Sequence, residues 1–152
     1  MSVTVPPGGT RGTRFPRFLA RLGNRFMVSR FRRGSARTQG GLHALLLETM
    51  GAKSGEPRRV VLGYIEEGPD SWLVIAALAG AARHPSWLHN LAKRPEATIE
   101  FEGGDRIDVR AETLDGEQLA AAWTRIAVDA PEFVGYRSKT DRDIPVVRLR
   151  RR

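Results

Sequence analysis

A short cationic turn, Gly51-Ala-Lys-Ser-Gly-Glu-Pro-Arg-Arg59, lies between two apolar runs. Gly51 and Gly55 permit positive φ there, so successive backbone N–H groups can point into one concavity. Lys53 adds a mobile point charge, Ser54 a hydroxyl, and Arg58 a planar fork suited to phosphate or carboxylate. The GxxxxGK[ST] order of a nucleoside triphosphate loop is absent. On spacing alone, an anion seat and a solvated hairpin turn both remain open. Three further segments carry chemistry-capable groups. In His84-Pro-Ser-Trp-Leu-His-Asn90, Trp87 and Asn90 fall one helical turn apart. Trp87 can wall a flat ligand whose polar edge Asn90 bonds, or it can be core with Asn90 merely exposed. His84 reads as a local cap before it reads as a base. The small residues Ala76, Ala77, Leu78, Ala79 and Gly80 let a backbone approach a flat ring closely, and they equally suit a tight connection. Tyr136, in Phe133-Val-Gly-Tyr136, can donate a proton or simply anchor.

The elements that must position these groups belong to one domain of 152 residues, 41% hydrophobic and 28% charged. The chain has no cysteine, which excludes disulfides and thiolate chemistry. Its three His form no HExxH-type pairing, so no metal site is expected. No apolar run reaches the ~18 residues of a membrane span. The net charge of +8 is uneven: residues 1–37 hold nine Arg and no acid, and the remainder holds 16 Lys+Arg against 17 Asp+Glu. The body is near neutral, which argues against nucleic acid as a partner.

Residues 1–13 have nothing obvious to bury and read as disordered. Over 15–31, Phe15, Phe18, Leu19, Leu22 and Phe26 keep helical spacing beside an Arg17, Arg21, Arg25 stripe, giving an amphipathic basic helix. Residues 34–41 read as a linker. Strand-like runs follow at 42–49, 59–65 and 71–78, then a helix over 84–94 opened by Pro85 and stopped by Pro95. Ala97, Ile99 and Phe101, and then Ile107, Val109 and Ala111, alternate as a hairpin with one buried face. Asp115-Gly-Glu-Gln118 reads as a capping box for a helix to about 127, and 144–149 as a last strand. The sum is an antiparallel α+β domain of six strands, a small partly open barrel, with a basic arm over 1–36 and the barrel over 37–152.

The elements Thr49-Met-Gly-Ala-Lys-Ser-Gly-Glu-Pro-Arg58, Ala81-Ala-Arg-His-Pro-Ser-Trp-Leu-His-Asn-Leu91 and Tyr136-Arg-Ser-Lys-Thr-Asp-Arg-Asp-Ile-Pro-Val146, in this order, closely resemble the deazaflavin-dependent nitroreductase family. The resemblance runs from about residue 42 to the C-terminus. It implies a six-stranded split β-barrel of the flavin-reductase, FMN-binding-like type with flanking helices. It implies coenzyme F420, whose phosphate and polyglutamate tail would meet Lys53, Ser54 and Arg58. Val60 and Val61, with Ala76, Ala77, Leu78, Ala79 and Gly80, would line the deazaflavin. Trp87 and Asn90 would close the site. For the proton that completes reduction the candidates are Tyr136, as the catalytic residue, and water. The reduced cofactor would pass a hydride to a quinone, enone or nitroaromatic. Relatives often carry Ser-Lys-Gly-Gly where this chain has Ala77-Leu-Ala-Gly80, and several tyrosines where it has Ala130, Phe133 and Tyr136. The rival expectations are an FMN-dependent reductase and a non-catalytic deazaflavin carrier. The expected location is the cytoplasm or the inner membrane face, with residues 15–33 touching anionic lipid or covering the barrel mouth.

Overall fold

A computed structural model describes residues 2–14, 16–34 and 41–152. In chain order the elements are α1 (Arg17–Arg32), β1 (Ala44–Met50), β2 (Pro57–Gly63), β3 (Ile65–Glu66) and β4 (Ser71–Ile75). A single 3-10 turn (Leu78–Gly80) leads to α2 (Ser86–Lys93), β5 (Glu96–Phe101) and β6 (Arg106–Thr113). Then come α3 (Gly116–Asp129), α4 (Glu132–Lys139) and β7 (Val146–Arg151). The strands form one antiparallel sheet in the order β2-β1-β5-β6-β7-β4-β3. The sheet curls until β2 touches β4, making a half-barrel.

Two differences from the sequence expectation concern strands and caps. The sheet has seven strands rather than six, because the run predicted over 59–65 breaks after Gly63 and its end becomes β3, paired with β4 at Ile65↔Leu73. Asp115 does precede α3, yet its side chain makes no cap bond. Gln118 does not turn back either, since its Oε1 accepts from Arg148 Nη1 at 3.3 Å.

Strand alternation sorts the core into two sides. Leu45, Leu47, Trp72, Val74, Ile99, Val109 and Leu149 face inward with Trp87, Leu88 and Leu91 of α2. Leu73, Ile75 and Val146 face outward against Trp123 and Ile126 of α3 and Phe133 and Tyr136 of α4. β1 is buried on both faces because α1 covers its other side, where Phe31 packs on Ala44 and Leu46. Each fully buried leucine of β1 contributes roughly 2 kcal/mol.

Two N-terminal pieces clasp this body. Residues 2–14 form an extended strap, anchored by Val3, which is buried in the inner core. Thr113 N–H donates to Ser2 O at 3.1 Å, Gly9 N–H to Ala82 O at 2.8 Å, and Thr13 N–H to Gly80 O at 3.0 Å. The Asp141 carboxylate accepts from the Thr10 N–H (2.8 Å), the Thr10 hydroxyl and the Arg11 N–H (3.2 Å). Gly12 is required by close approach, since a Cβ there would lie 2.4 Å from Gly80 O. A composition that reads as disordered is held here by backbone bonds, to which composition is blind. α1 packs on β2 through Val28 and Phe31 against Val61, and Asn24 Nδ2 donates to Arg59 O at 2.6 Å. Its predicted apolar stripe points outward: Phe18, Leu19, Leu22 and Phe26 are 50–64% exposed. Phe15 and most of the predicted 34–41 linker lie outside the described residues.

Candidate functional site

The cationic turn is built from β1, β2 and α2. Gly51 N–H donates to Glu56 O at 2.8 Å and Gly55 N–H to Gly51 O at 2.9 Å, which closes the loop with Gly55 at φ +70°. A Cβ on Gly51 would lie 2.6 Å from Ser54 Oγ, so a larger residue there would displace that hydroxyl. From beneath, Asn90 of α2 accepts from Ala52 N–H at 2.9 Å and donates through Nδ2 to the Thr49 hydroxyl at 3.0 Å. Lys93 Nζ donates to Ala52 O at 2.6 Å. Asn90 is only 7% exposed, so its role in this fold is to hold the turn. Thr49 and Lys93 complete the grip, and the sequence reading named neither for this role.

The outer side of the turn is left to solvent. Lys53, Ser54 and Arg58 are all exposed. Among the described residues Lys53 has no hydrogen-bond or ion-pair partner. Arg58 Nη2 reaches Ser54 Oγ at 3.4 Å, and Nη1 lies 3.6 Å from the exposed Glu56 carboxylate, a pair of little energetic weight. This is a preformed cluster of free donors, the chemistry that a phosphate or a chain of carboxylates needs.

From Arg58 a strip runs along edge strand β2. Strand period places Arg58, Val60, Leu62 and the following Tyr64 on one face, over about 20 Å. Val60, Leu62 and Tyr64 are half-buried against the inner core, which also holds Ala76 and Trp87. Tyr64 meets Phe101 edge-on at 5.2 Å, and Phe101 meets Trp72 at 5.4 Å. Val61 points to the other face and packs on Val28 and Phe31 of α1. The two valines thus sit on opposite sides of the sheet, and the strip takes Val60 alone. Trp87, 6% exposed, stands behind it as core.

Residues 76–80 are shaped by a buried arginine that the sequence reading quoted without a role. Leu78 (φ 44°) and Ala79 (φ 53°) are left-handed without being glycine, a strain of order 1–2 kcal/mol per residue. Gly80 (φ 79°) could take no side chain either, since a Cβ would lie 2.9 Å from Tyr136 O. The carbonyls on either side of this stretch converge on Arg142, 6% exposed. Its Nε donates to Ala81 O (2.7 Å), Nη2 to Ala77 O (2.8 Å), and both terminal nitrogens to Ala76 O (3.2 Å). Arg142 Nη1 also lies 3.2 Å from His84 Nδ1. A guanidinium only donates, so Nδ1 accepts, and Nε2–H of the neutral ring donates to Pro6 O at 2.8 Å. Burial first, and the Arg142 charge second, hold the His84 pKa below its ordinary value. His84 is therefore a relay between Arg142 and the strap.

Tyr136 sits on α4, an element the sequence reading did not foresee. It is buried in the outer core, edge-on to Phe133 at 5.5 Å. Burial and the neighbouring Glu132 carboxylate push its pKa up to about 12, so the phenol keeps its proton at neutral pH. Ala77 and Ala79 belong to the same cluster. The predicted site residues thus divide: Lys53, Ser54, Arg58 and Val60 share one strip, Ala76 and Trp87 back it, Asn90 supports it, and Tyr136 lies with Ala77 and Ala79.

Residues 23–150 match the family model for F420H2-dependent quinone reductase. An F420H2-dependent quinone reductase of Mycobacterium tuberculosis is 37% identical over 119 residues, covering 76% of this chain and 78% of the relative. A solved F420H2-dependent reductase, FDR-A, superposes with TM-score 0.63 at 33% identity, over 70% of this chain and 92% of its own. A solved domain-swapped dimer matches with TM-score 0.64 at 29% identity, over 89% and 99% of the two chains.

Proposed function

Since the chain belongs to the F420H2-dependent quinone reductase family, we propose that it is an oxidoreductase that uses reduced F420 to reduce small electron-poor acceptors. Quinones are the first class to test, with enones and nitroaromatics next. The observation that carries this reading is the β2 strip, with free cations at one end and a half-buried apolar and aromatic surface along the rest. A molecule with an anionic tail and a flat ring makes both demands at once. The finer fold reading is a split barrel of the flavin-reductase type.

In this reading Lys53, Ser54 and Arg58 hold the phosphate and carboxylates of the tail. Asn90, Thr49 and Lys93 keep the turn in the shape that presents them. Val60, with Ala76 and Trp87 behind it, gives the ring an apolar wall, and the left-handed backbone over 78–80 lets a planar group lie close. Val61 supports the sheet from the α1 side. The reduced deazaflavin supplies the hydride. Tyr136 is the side chain to which we assign the proton that the reduced acceptor needs, although its raised pKa makes it a weaker acid than an ordinary phenol. Titration with F420 and, separately, FMN, read by tryptophan fluorescence, tests the cofactor, because Trp72 and Trp87 share the inner core. Tight FMN binding with no response to F420 overturns the assignment. Binding of F420H2 without its oxidation by any of a panel of quinones, enones and nitroaromatics makes the protein a carrier.

A second reading concerns location. Among the described residues no helix is long and apolar enough to cross a membrane. The exposed Phe18, Leu19, Leu22 and Phe26 beside Arg17, Arg21 and Arg25 suit peripheral contact with anionic lipid at the cytoplasmic face. Co-sedimentation with anionic vesicles, lost in Phe18→Ser/Leu22→Ser/Phe26→Ser, is the expected result. Sedimentation unchanged by that triple substitution removes α1 as the contact.

A further inference from the structure

We infer that the groove between the N-terminal strap and residues 81–83 binds the phosphate of an anionic phospholipid headgroup, an inference that rests on the peripheral-membrane reading. The groove is open, about 600 Å³, and its walls include Arg11, Arg14 and Arg83. Arg17 opens α1 immediately after Pro16, which also lines it.

The charges of this groove are uncompensated. Elsewhere in the fold Arg59, Arg106, Arg110, Arg148 and Arg151 each meet a carboxylate within 3.1 Å. Among the described residues Arg14, Arg17 and Arg83 meet none, and the Arg11 guanidinium donates to Ser138 O at 3.3 Å and meets no carboxylate. The near carboxylate, Asp141, is committed to the Thr10 and Arg11 backbone and the Thr10 hydroxyl. Burial first, and the neighbouring Arg17 charge second, disfavour the charge of half-buried Arg83. Guanidiniums gathered without an acid are relieved by an anion whose several oxygens accept at once, and phosphate is that acceptor.

This groove is separate from the cationic turn. The turn is gripped at the C-terminal half of α2 by Asn90 and Lys93, whereas Arg83 precedes the N-terminal end of the same helix. An eight-residue helix rises about 12 Å between them. What adjoins the groove is α1, whose outward Phe18, Leu19, Leu22 and Phe26 begin one residue after Arg17. A phosphate-binding pocket continuous with an exposed apolar stripe fits an amphiphile, with its head among the arginines and its acyl region along α1. The strap brings Arg11 and Arg14 to Arg83, so its backbone ladder to residues 80–82 assembles the site.

The test uses the full chain and vesicles of phosphatidylcholine, alone or with phosphatidylglycerol, or with oleate at the same surface charge. The parent should sediment best with phosphatidylglycerol. Arg83→Gln should weaken that binding about fivefold, the worth of one basic group at an anionic surface, and so should the exposed Arg14→Gln. Arg94→Gln, an equal charge loss outside the groove, should change it less than twofold. Unaltered melting of each variant establishes that the fold is intact. If Arg83→Gln and Arg14→Gln match Arg94→Gln, or if oleate serves as well as phosphatidylglycerol, the headgroup site is refuted while membrane contact stands. If the parent binds no vesicle, the membrane reading and this site fall together. If soluble glycerol phosphate binds with equal affinity to parent and Phe18→Ser/Leu22→Ser/Phe26→Ser, the ligand is a free phosphate ester and the lipid assignment is overturned. Loss of a dimer in that triple variant, with no lipid effect, assigns the stripe to a second copy and overturns it too.

Discussion

Asn90 offers the sharpest test of how the anion seat is made. Asn90→Ala removes the bond to Ala52 N–H and the bond to the Thr49 hydroxyl. Thr49 is 2% exposed, so its oxygen loses a partner that water cannot replace. Two net hydrogen bonds and one stranded buried hydroxyl together cost about 2–4 kcal/mol. For a domain of this size that lowers Tm by roughly 5–15 °C. Asn90→Asp separates support from charge. Its carboxylate still accepts from Ala52 N–H, and the Thr49 hydroxyl can rotate to donate to it, so stability should fall by less. A negative charge beside Ala52 would, however, oppose an anionic tail at Lys53. Urea unfolding followed by tryptophan fluorescence reads the first effect, and F420 titration at low and high salt reads the second. Asn90→Ala with the parent's unfolding midpoint would refute the supporting role. Asn90→Asp with the parent's affinity at low salt would refute the turn as the seat of the tail.

Four other outcomes are expected. Lys53→Gln/Arg58→Gln should weaken F420 binding roughly 10- to 100-fold at low salt and flatten its salt dependence, with Tm unchanged, because both side chains are exposed. Tyr136→Phe should lower kcat about a hundredfold while leaving F420 affinity intact, as for loss of a positioned proton donor; unchanged turnover with every acceptor would remove that role. His84 is neutral in the fold with a pKa below its ordinary ~6.5, so its contribution is complete above that pH and is lost as the pH falls, where the unfolded chain takes up a proton that the folded chain resists. His84→Gln, which can still accept from Arg142 and donate to Pro6 O, should therefore show a shallower loss of Tm between pH 7 and 5 than the parent. Gly12→Ala should lower stability by about 1–3 kcal/mol in thermal melts, because the added methyl meets Gly80 O and the strap must lift.

What the chain discloses about itself follows the range of the forces involved. Ala97, Ile99, Val109 and Ala111 announce their hairpin because strand period is local, and all four lie in the inner core. Trp123 and Ile126 mark the inner face of α3 for the same reason. The cationic turn was legible because glycines and free charges sit within nine residues of each other. The strap was not, since Thr10 and Asp141 are 131 residues apart and its other bonds either join backbone to backbone or reach side chains such as His84, 78 residues from Pro6. α4 was hidden by Gly135 and by Pro131 at its start, which read as loop. Asn90 was read as ligand-facing or exposed because the partner that buries it, the Ala52 N–H, carries no side-chain signal. The resemblance places Val60 and Val61 together on the deazaflavin, whereas strand period puts adjacent residues on opposite faces.

Arg142 shows how far such a hidden residue reaches. Flanked by Asp141 and Asp143, it reads in sequence as part of a solvated charged turn. Among the described residues it meets no carboxylate, and it donates to the carbonyls of Ala76, Ala77, Ala81 and Asp143. Carbonyls turned toward one point repel one another, and the left-handed Leu78 and Ala79 add strain of their own. A planar group with five N–H donors in one plane can satisfy such a convergence, whereas the three donors of an ammonium cannot reach it all. The guanidinium thus ties together the carbonyls that flank the left-handed turn, which a lysine could do only in part. Through His84 the same guanidinium fixes the carbonyl of Pro6, and through the 76–81 carbonyls it fixes the loop to which Gly9 and Thr13 bond. The strap, the strained turn and the 140–143 segment thus form one unit. Any ligand that lies against residues 78–80 meets the same backbone to which Gly12 and Thr13 of the strap are fitted.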